Sequence, residues 1–173
     1  MEIRPVERLI LSMLCDITDK LEIKGETDTD LLKSVLYSGH DWALDWEMTG
    51  IVGVEVAPAS LGQEVADIME MHDFLEVSYD GLTDGEKADI DEGLVRFEGF
   101  DGNNETRHMS AARLFLTKMD RFQDFKRRDM NSHMPTLDRK RRMLEVYEPL
   151  RAGTSGRRPP RLSASEIKLI AEA

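Results

Sequence analysis

With 173 residues, 40% of them apolar and 33% charged, the chain is long enough to bury a core beneath a highly charged surface. Its formal charge of -11, from 23 basic and 34 acidic residues, works against nonspecific attraction of the whole surface to nucleic acid or anionic membrane. No apolar run approaches the ~18 residues that span a bilayer, and the opening MEIRPVERL lacks a secretory pattern. The single cysteine, Cys15, has no partner for an internal disulfide. A cytoplasmic protein without membrane contact is expected.

The first predicted helix covers 5–23. Pro5 suits its first turn, and Val6, Leu9, Ile10, Met13, Leu14, Ile17 and Leu21 recur at helical spacing. Cys15 falls beside that stripe with no basic setting to activate it, so it reads as an inert small residue. Gly25 to Thr29 interrupt the pattern. A second helix is expected over 30–38, with Thr27 or Asp28 as cap and Gly39 as stop. A third, 41–48, places Trp42 and Trp46 four apart on one face, a pair that reads as core or interface rather than a ligand cage. Residues 49–59 carry Ile51, Val52, Val54 and Val56 before Pro58, and read as an extended connection.

The central predicted helix covers 60–79. Ser60 and Gln63 have the spacing of a capping box, and Leu61, Val65, Ile68, His72, Leu75 and Tyr79 form one stripe. Phe74 and Val77 lie near the opposite side, so neighbours should wrap this helix rather than leave it on a surface. Thr83 with Glu86 caps a short helix over 84–93, and 94–100 alternates weakly like a strand. A long helix is expected over 105–127, with His108, Met109, Ala112, Phe115, Leu116, Met119 and Phe122 along its stripe. After a loop over 127–136, Thr136 caps a helix to about 150 anchored by Leu137, Leu144 and Tyr147. Residues 151–161 read as a basic linker, and Ser163 with Glu166 caps a terminal helix that should dock through Ile167, Leu169 and Ile170. The sum is an all-α (mostly), multi-helix single domain wrapped around the helix at 60–79, with at most a minor extended segment near 94–100.

Several segments together resemble the YfbU family of bacterial proteins: Asp67-Ile68-Met69-Glu70-Met71, Arg8-Leu9-Ile10-Leu11-Ser12, Gly99-Phe100-Asp101, Arg142-Met143-Leu144 with Val146 and Tyr147, and Leu162-Ser163-Ala164 with Glu166-Ile167. Their order covers nearly the whole chain. The chain departs from the pattern around 49–59 and in the basic linker. The resemblance implies a mostly helical single-domain protein and brings no catalytic residue with it.

Three constellations bear on function. Glu105 and His108 form a single Glu-x-x-His on a helix, half of what di-iron carboxylate bundles use, with His72 as the nearest further donor type. The plainer reading is a surface glutamate and two packed histidines. No nucleophile elbow, phosphate loop, dinucleotide fingerprint or zincin motif is present, and no cofactor is expected. Residues 121–161 hold 12 basic and 5 acidic residues, densest at Lys126, Arg127, Arg128, Arg139, Lys140, Arg141 and Arg142. That patch suits phosphate contact with nucleic acid, or docking against the acidic remainder of this chain or of a second one; few aromatics are interleaved. The leading expectation is a non-enzymatic regulatory or interaction module, a homo-oligomer and most simply a dimer, that takes a small ligand between helices. Nucleic-acid binding through 121–161 and a metal-assisted enzyme are the alternatives.

Overall fold

The computed structural model describes residues 2–53, 55–152 and 161–173. They form ten α-helices and one 3-10 turn, with no named strand among them, an all-α protein. The chain gathers into two compact units, residues 1–56 and 57–173.

The first unit holds α1 (Pro5–Lys20), α2 (Thr29–Ser38), α3 (Trp42–Glu47) and α4 (Thr49–Val52). Glu7 accepts the backbone N–H of Arg4 at 3.0 Å, which secures the start of α1. Asp28 accepts the N–H of Leu31 at 2.9 Å as the N-cap of α2, and Gly39 at φ 75° ends that helix in the left-handed conformation glycine tolerates. Asp41 ties the unit together: its carboxylate accepts the N–H of Ile3 at 2.8 Å and the Arg8 guanidinium at 2.7 and 2.8 Å, while Arg8 also donates to the Leu36 carbonyl at 2.7 Å. The core is small: Ile3, Cys15, Leu32, Val35, Leu36 and Leu44.

Two expectations change in this unit, and the placement of a third feature, the α1 stripe, is settled. The first helix stops at Lys20, short of 23, because Glu22 turns left-handed at φ 52°. Residues 49–52 coil into α4, as Met48 O accepts the N–H groups of Ile51 and Val52; among the described residues no strand is available to pair with them. Most consequentially, the aliphatic stripe of α1 is not core. Val6, Leu9, Ile10, Met13, Leu14, Ile17 and Leu21 are all exposed, and Cys15 is the one buried residue of the helix.

The second unit is built on α5 (Ala59–Asp80), which packs against α7 (Glu92–Val95), α8 (Thr106–Thr117), α9 (Leu137–Ala152) and α10 (Ala164–Ala171); α6 (Asp84–Lys87) precedes α7. Eleven of the 22 residues of α5 are buried, on several faces, as expected of a helix wrapped by neighbours. One core groups Met71, Phe74, Leu75 and Tyr79 with Met143, Tyr147, Ile167 and Ile170. Another groups Val65, Ile68 and Met69 with Phe97, Phe100, Ala112, Leu116 and Phe125.

The capping boxes at Thr83–Glu86 and Ser163–Glu166 form as read, with N–H to carboxylate distances of 2.9 and 2.8 Å. The one at Ser60–Gln63 does not. Extended Pro58 is the N-cap, the helix starts one residue before Ser60, and the Gln63 amide donates to Asp67 at 2.9 Å instead. The expected helix over 84–93 splits in two because the Asp91 side chain accepts the Gly93 N–H at 2.9 Å and starts a new turn. The segment near 94–100 makes a single parallel bridge, Phe100 to Asn131, rather than a strand. The helix expected over 105–127 ends at Thr117. Asp120 and Phe122 are left-handed at φ 52° and 53°, which turns the chain through a 3-10 turn (Gln123–Phe125) and carries Phe125 into the core. Of the linker read at 151–161, residues 153–160 lie outside the described residues.

Candidate functional site

Within the basic segment, α9 and the loop before it pair five cations with carboxylates, carbonyls and a hydroxyl of the same chain. Arg128 clasps Glu76 of α5 through two nitrogens, at 2.7 and 2.6 Å, and its guanidinium lies 4.9 Å from the Phe125 ring. The same Glu76 oxygen that meets Arg128 at 2.7 Å also accepts the Phe97 N–H at 2.7 Å, so a 5%-exposed carboxylate is fully engaged. Arg139 donates to Glu98 at 2.6 Å, Arg141 to Glu64 at 2.6 Å, and Arg142 to the Ala173 carbonyl at 2.6 Å. Lys140 is wholly buried. Its ammonium donates to the Gly99 carbonyl and, at 2.7 Å, to the Thr136 hydroxyl, over the faces of Phe100 and Phe97 at 4.6 and 5.0 Å. Burial pushes its pKa down to about 8, with Glu98 and Glu105 acting the other way. Lys126, Arg127, Arg141 and Arg142 are exposed, with Lys126 at 3.9 Å from Asp120.

The metal candidates are likewise dispersed. Glu105 caps α9. Its carboxylate accepts the N–H groups of Thr136 and Leu137, both at 2.7 Å, that of Asp101 at 2.9 Å, and the Thr136 hydroxyl at 3.1 Å. Burial alone would raise the Glu105 carboxyl, but these donors together hold it below the usual range. His72 is fully buried against Phe97, with Nδ1 3.0 Å from the Val95 carbonyl and no partner for Nε2 among the described residues. Burial drives its pKa down to about 3, so the ring is neutral and its proton sits on Nδ1, where it donates to that carbonyl. Among the described residues no three His, Cys, Asp or Glu side chains are placed to share a metal ion.

His108 has a partner that the sequence reading missed. Its Nε2 lies 2.9 Å from Glu64, and Arg141 clamps the same carboxylate, so α5, α8 and α9 meet at one Glu–His–Arg cluster. Arg141 and, behind it, His108 hold the Glu64 carboxyl below its usual range against a rise from burial. The cluster floors an open depression of about 620 Å³ lined also by Pro58, Leu61 and Asp67. A carboxylate one helical turn before Ile68 was the available signal. Glu76 was legible in the same way, four residues after His72 on the main stripe of a helix expected to be wrapped by neighbours.

Several of the segments that carry the family resemblance fall in this framework, though Asp67 lines the depression and Arg8 to Ser12 lie on α1. Gly99 sits at φ 87°, where a Cβ would come within 2.3 Å of the Met130 backbone. Phe100, Met69, Met71, Met143 and Ile167 are core, and Asp101 accepts the Asn103 N–H at 3.0 Å in the turn before α8. Together these features define an all-helical scaffold whose ionic groups brace the fold. The YfbU domain model matches residues 1–173, and the chain belongs to the YfbU family. A UPF0304 protein of Methanocaldococcus jannaschii is 33% identical over 148 residues, 83% of this chain and 86% of that protein. Among the described residues no helix is long and apolar enough to cross a membrane.

Proposed function

We propose that the protein is a non-enzymatic, cytoplasmic interaction module that works through the outer face of α1. The observation that carries this reading is the exposure of seven aliphatic side chains, 50% to 70% each, six along α1 and the seventh, Leu21, at its C-cap. Trp42 and Trp46, edge to face at 5.1 Å and 54% and 74% exposed, are anchor residues of the type enriched at interfaces. The nucleic-acid reading draws less support, because Arg128, Arg139, Lys140, Arg141 and Arg142 already have partners within the chain. The test is a photo-crosslinking amino acid at Leu9 in the full chain, irradiated in cells. A discrete protein adduct is expected, and its absence overturns the reading.

A second reading, a small ligand between α5, α8 and α9, is favoured by the Glu64–His108–Arg141 depression. Its polar lining joins the Glu64 and Asp67 carboxylates to Arg141, His108 and Ser60, so it suits a small polar molecule such as an amine or a polyol. Ligand-observed NMR with small polyamines and polyols checks it; signals that broaden equally with wild type and Glu64→Gln count against it.

A further inference from the structure

Resting on that reading, we infer that the occupant of the α1 face is α1 of a second copy, packed antiparallel across a two-fold axis. At 100° per residue, the seven exposed aliphatics fall in an arc of about 140°. The opposite side of the helix already serves the first unit: Leu11 and Cys15 pack with Leu32, Val35, Leu36 and Leu44. The helix thus turns its smaller apolar share inward and its larger one outward. The outer arc exposes on the order of 650 Å², above the range usual for a monomer's largest patch and near the ~800 Å² per partner of a stable interface.

Charge placement leaves most of this face clear for contact. Arg8 is engaged with Asp41, Glu7 with Arg4, and Asp16 and Asp19 both with Lys33, at 2.9 and 2.5 Å. None of these charges lies within the aliphatic arc; Lys20, exposed on the last turn, falls inside it near the Leu9 edge, and its long stem lets the ammonium stay in water while the aliphatics are covered.

The order of side chains selects the partner. Val6, Ile10, Met13 and Ile17 form the seam, and their positions mirror about the Leu11–Ser12 peptide. An antiparallel second copy therefore sets Val6 against the partner's Ile17, and Ile10 against the partner's Met13, at both ends alike. Leu9 and Leu14 mirror about the same point on the two flanks. A two-fold contact requires this kind of self-complementarity: if residue i meets residue j, then j meets i. A parallel pair would instead set each seam residue beside its own copy.

Two measurements on the full chain test the pairing. Sedimentation equilibrium at micromolar protein is expected to give twice the 19.7 kDa chain mass, and the double variant Ile10→Asp with Ile17→Asp is expected to be monomeric with its far-ultraviolet helix signal intact. In a Cys15→Ala background, Val6→Cys and Ile17→Cys chains should form a disulfide when mixed and oxidised. Neither should do so alone, since two Val6 positions stand about 16 Å apart at ~1.5 Å of rise per residue. A wild-type monomer, a variant that stays dimeric, or cross-linking of either cysteine variant alone overturns the pairing. In the Leu9 photo-crosslinking experiment, an adduct of this chain with a different protein overturns the second copy while leaving the interaction-module reading standing.

Discussion

Helices α1 and α5 carry the same kind of apolar stripe and meet opposite fates. Eleven of the 22 residues of α5 are buried, against one of the 16 of α1. Their surroundings make the difference. Around α5, four helices pack on several sides, and even a carboxylate that points inward, Glu76, is met by Arg128 and a backbone N–H. In the first unit, three short helices leave one side of α1 bare. Periodicity identifies an apolar face; the number of neighbours within the fold decides whether that face becomes core or contact surface.

The densely braced side of this contrast breaks most sharply at Glu76. In Glu76→Ala the Arg128 guanidinium and the Phe97 N–H lose their acceptor, and a loss of about 3–5 kcal/mol in urea unfolding is expected. A loss below ~1 kcal/mol would mean that the pair is no brace.

Lys140 gives the next effect, seen through pH. Its folded pKa of about 8 lies below the 10.5 of the free side chain, so the unfolded chain binds more protons between those values. Stability from this group therefore rises with pH from about 8 to 10.5, by roughly 3 kcal/mol at 1.36 kcal/mol per unit. Lys140→Met should lack that rise when the two curves are subtracted; parallel curves refute the burial cost.

His72 acts at the acid end. With a folded pKa of about 3 against 6.5 unfolded, its contribution is complete above pH 6.5 and is lost as pH falls toward 3, about 2 kcal/mol by pH 5. His72→Ala at pH 7 should cost about 1–3 kcal/mol through the lost packing and the freed Val95 carbonyl. A melting curve that does not move places this ring outside the core.

Much of the second unit was legible because its signals are local. The Thr83 and Ser163 boxes, the main apolar stripe of α5 and the docking of the last helix through Ile167 and Ile170 follow from residues three or four apart, whereas Leu169 and Val77, expected among the covered positions, are 60% and 47% exposed. The end of α8 was not, because the left-handed turns at Asp120 and Phe122 follow from Phe125 reaching a core assembled from distant segments. The fate of the basic run was hidden for the same reason. Arg128, Arg139 and Arg141 find Glu76, Glu98 and Glu64 across 52, 41 and 77 residues of chain. Charge density along a sequence cannot distinguish a free cation from one that a remote carboxylate will neutralise.

The smallest expected effect is on the bare side. Ile17 and Ile68 have the same side chain on comparable stripes, one 50% exposed and the other fully buried. Truncation at Ile68 leaves a cavity, whereas Ile17→Ser removes little that a single chain buries. At the lowest concentration a fluorescence melt can read, Ile17→Ser should lie within ~0.5 kcal/mol of wild type. As concentration rises, wild type should melt at higher temperature because the folded pair is favoured by mass action, while the variant should not follow. The two curves then coincide when dilute and separate when concentrated. Separation already at the dilute end would make the outer stripe part of a core within the chain, and the contrast between the two helices would fail.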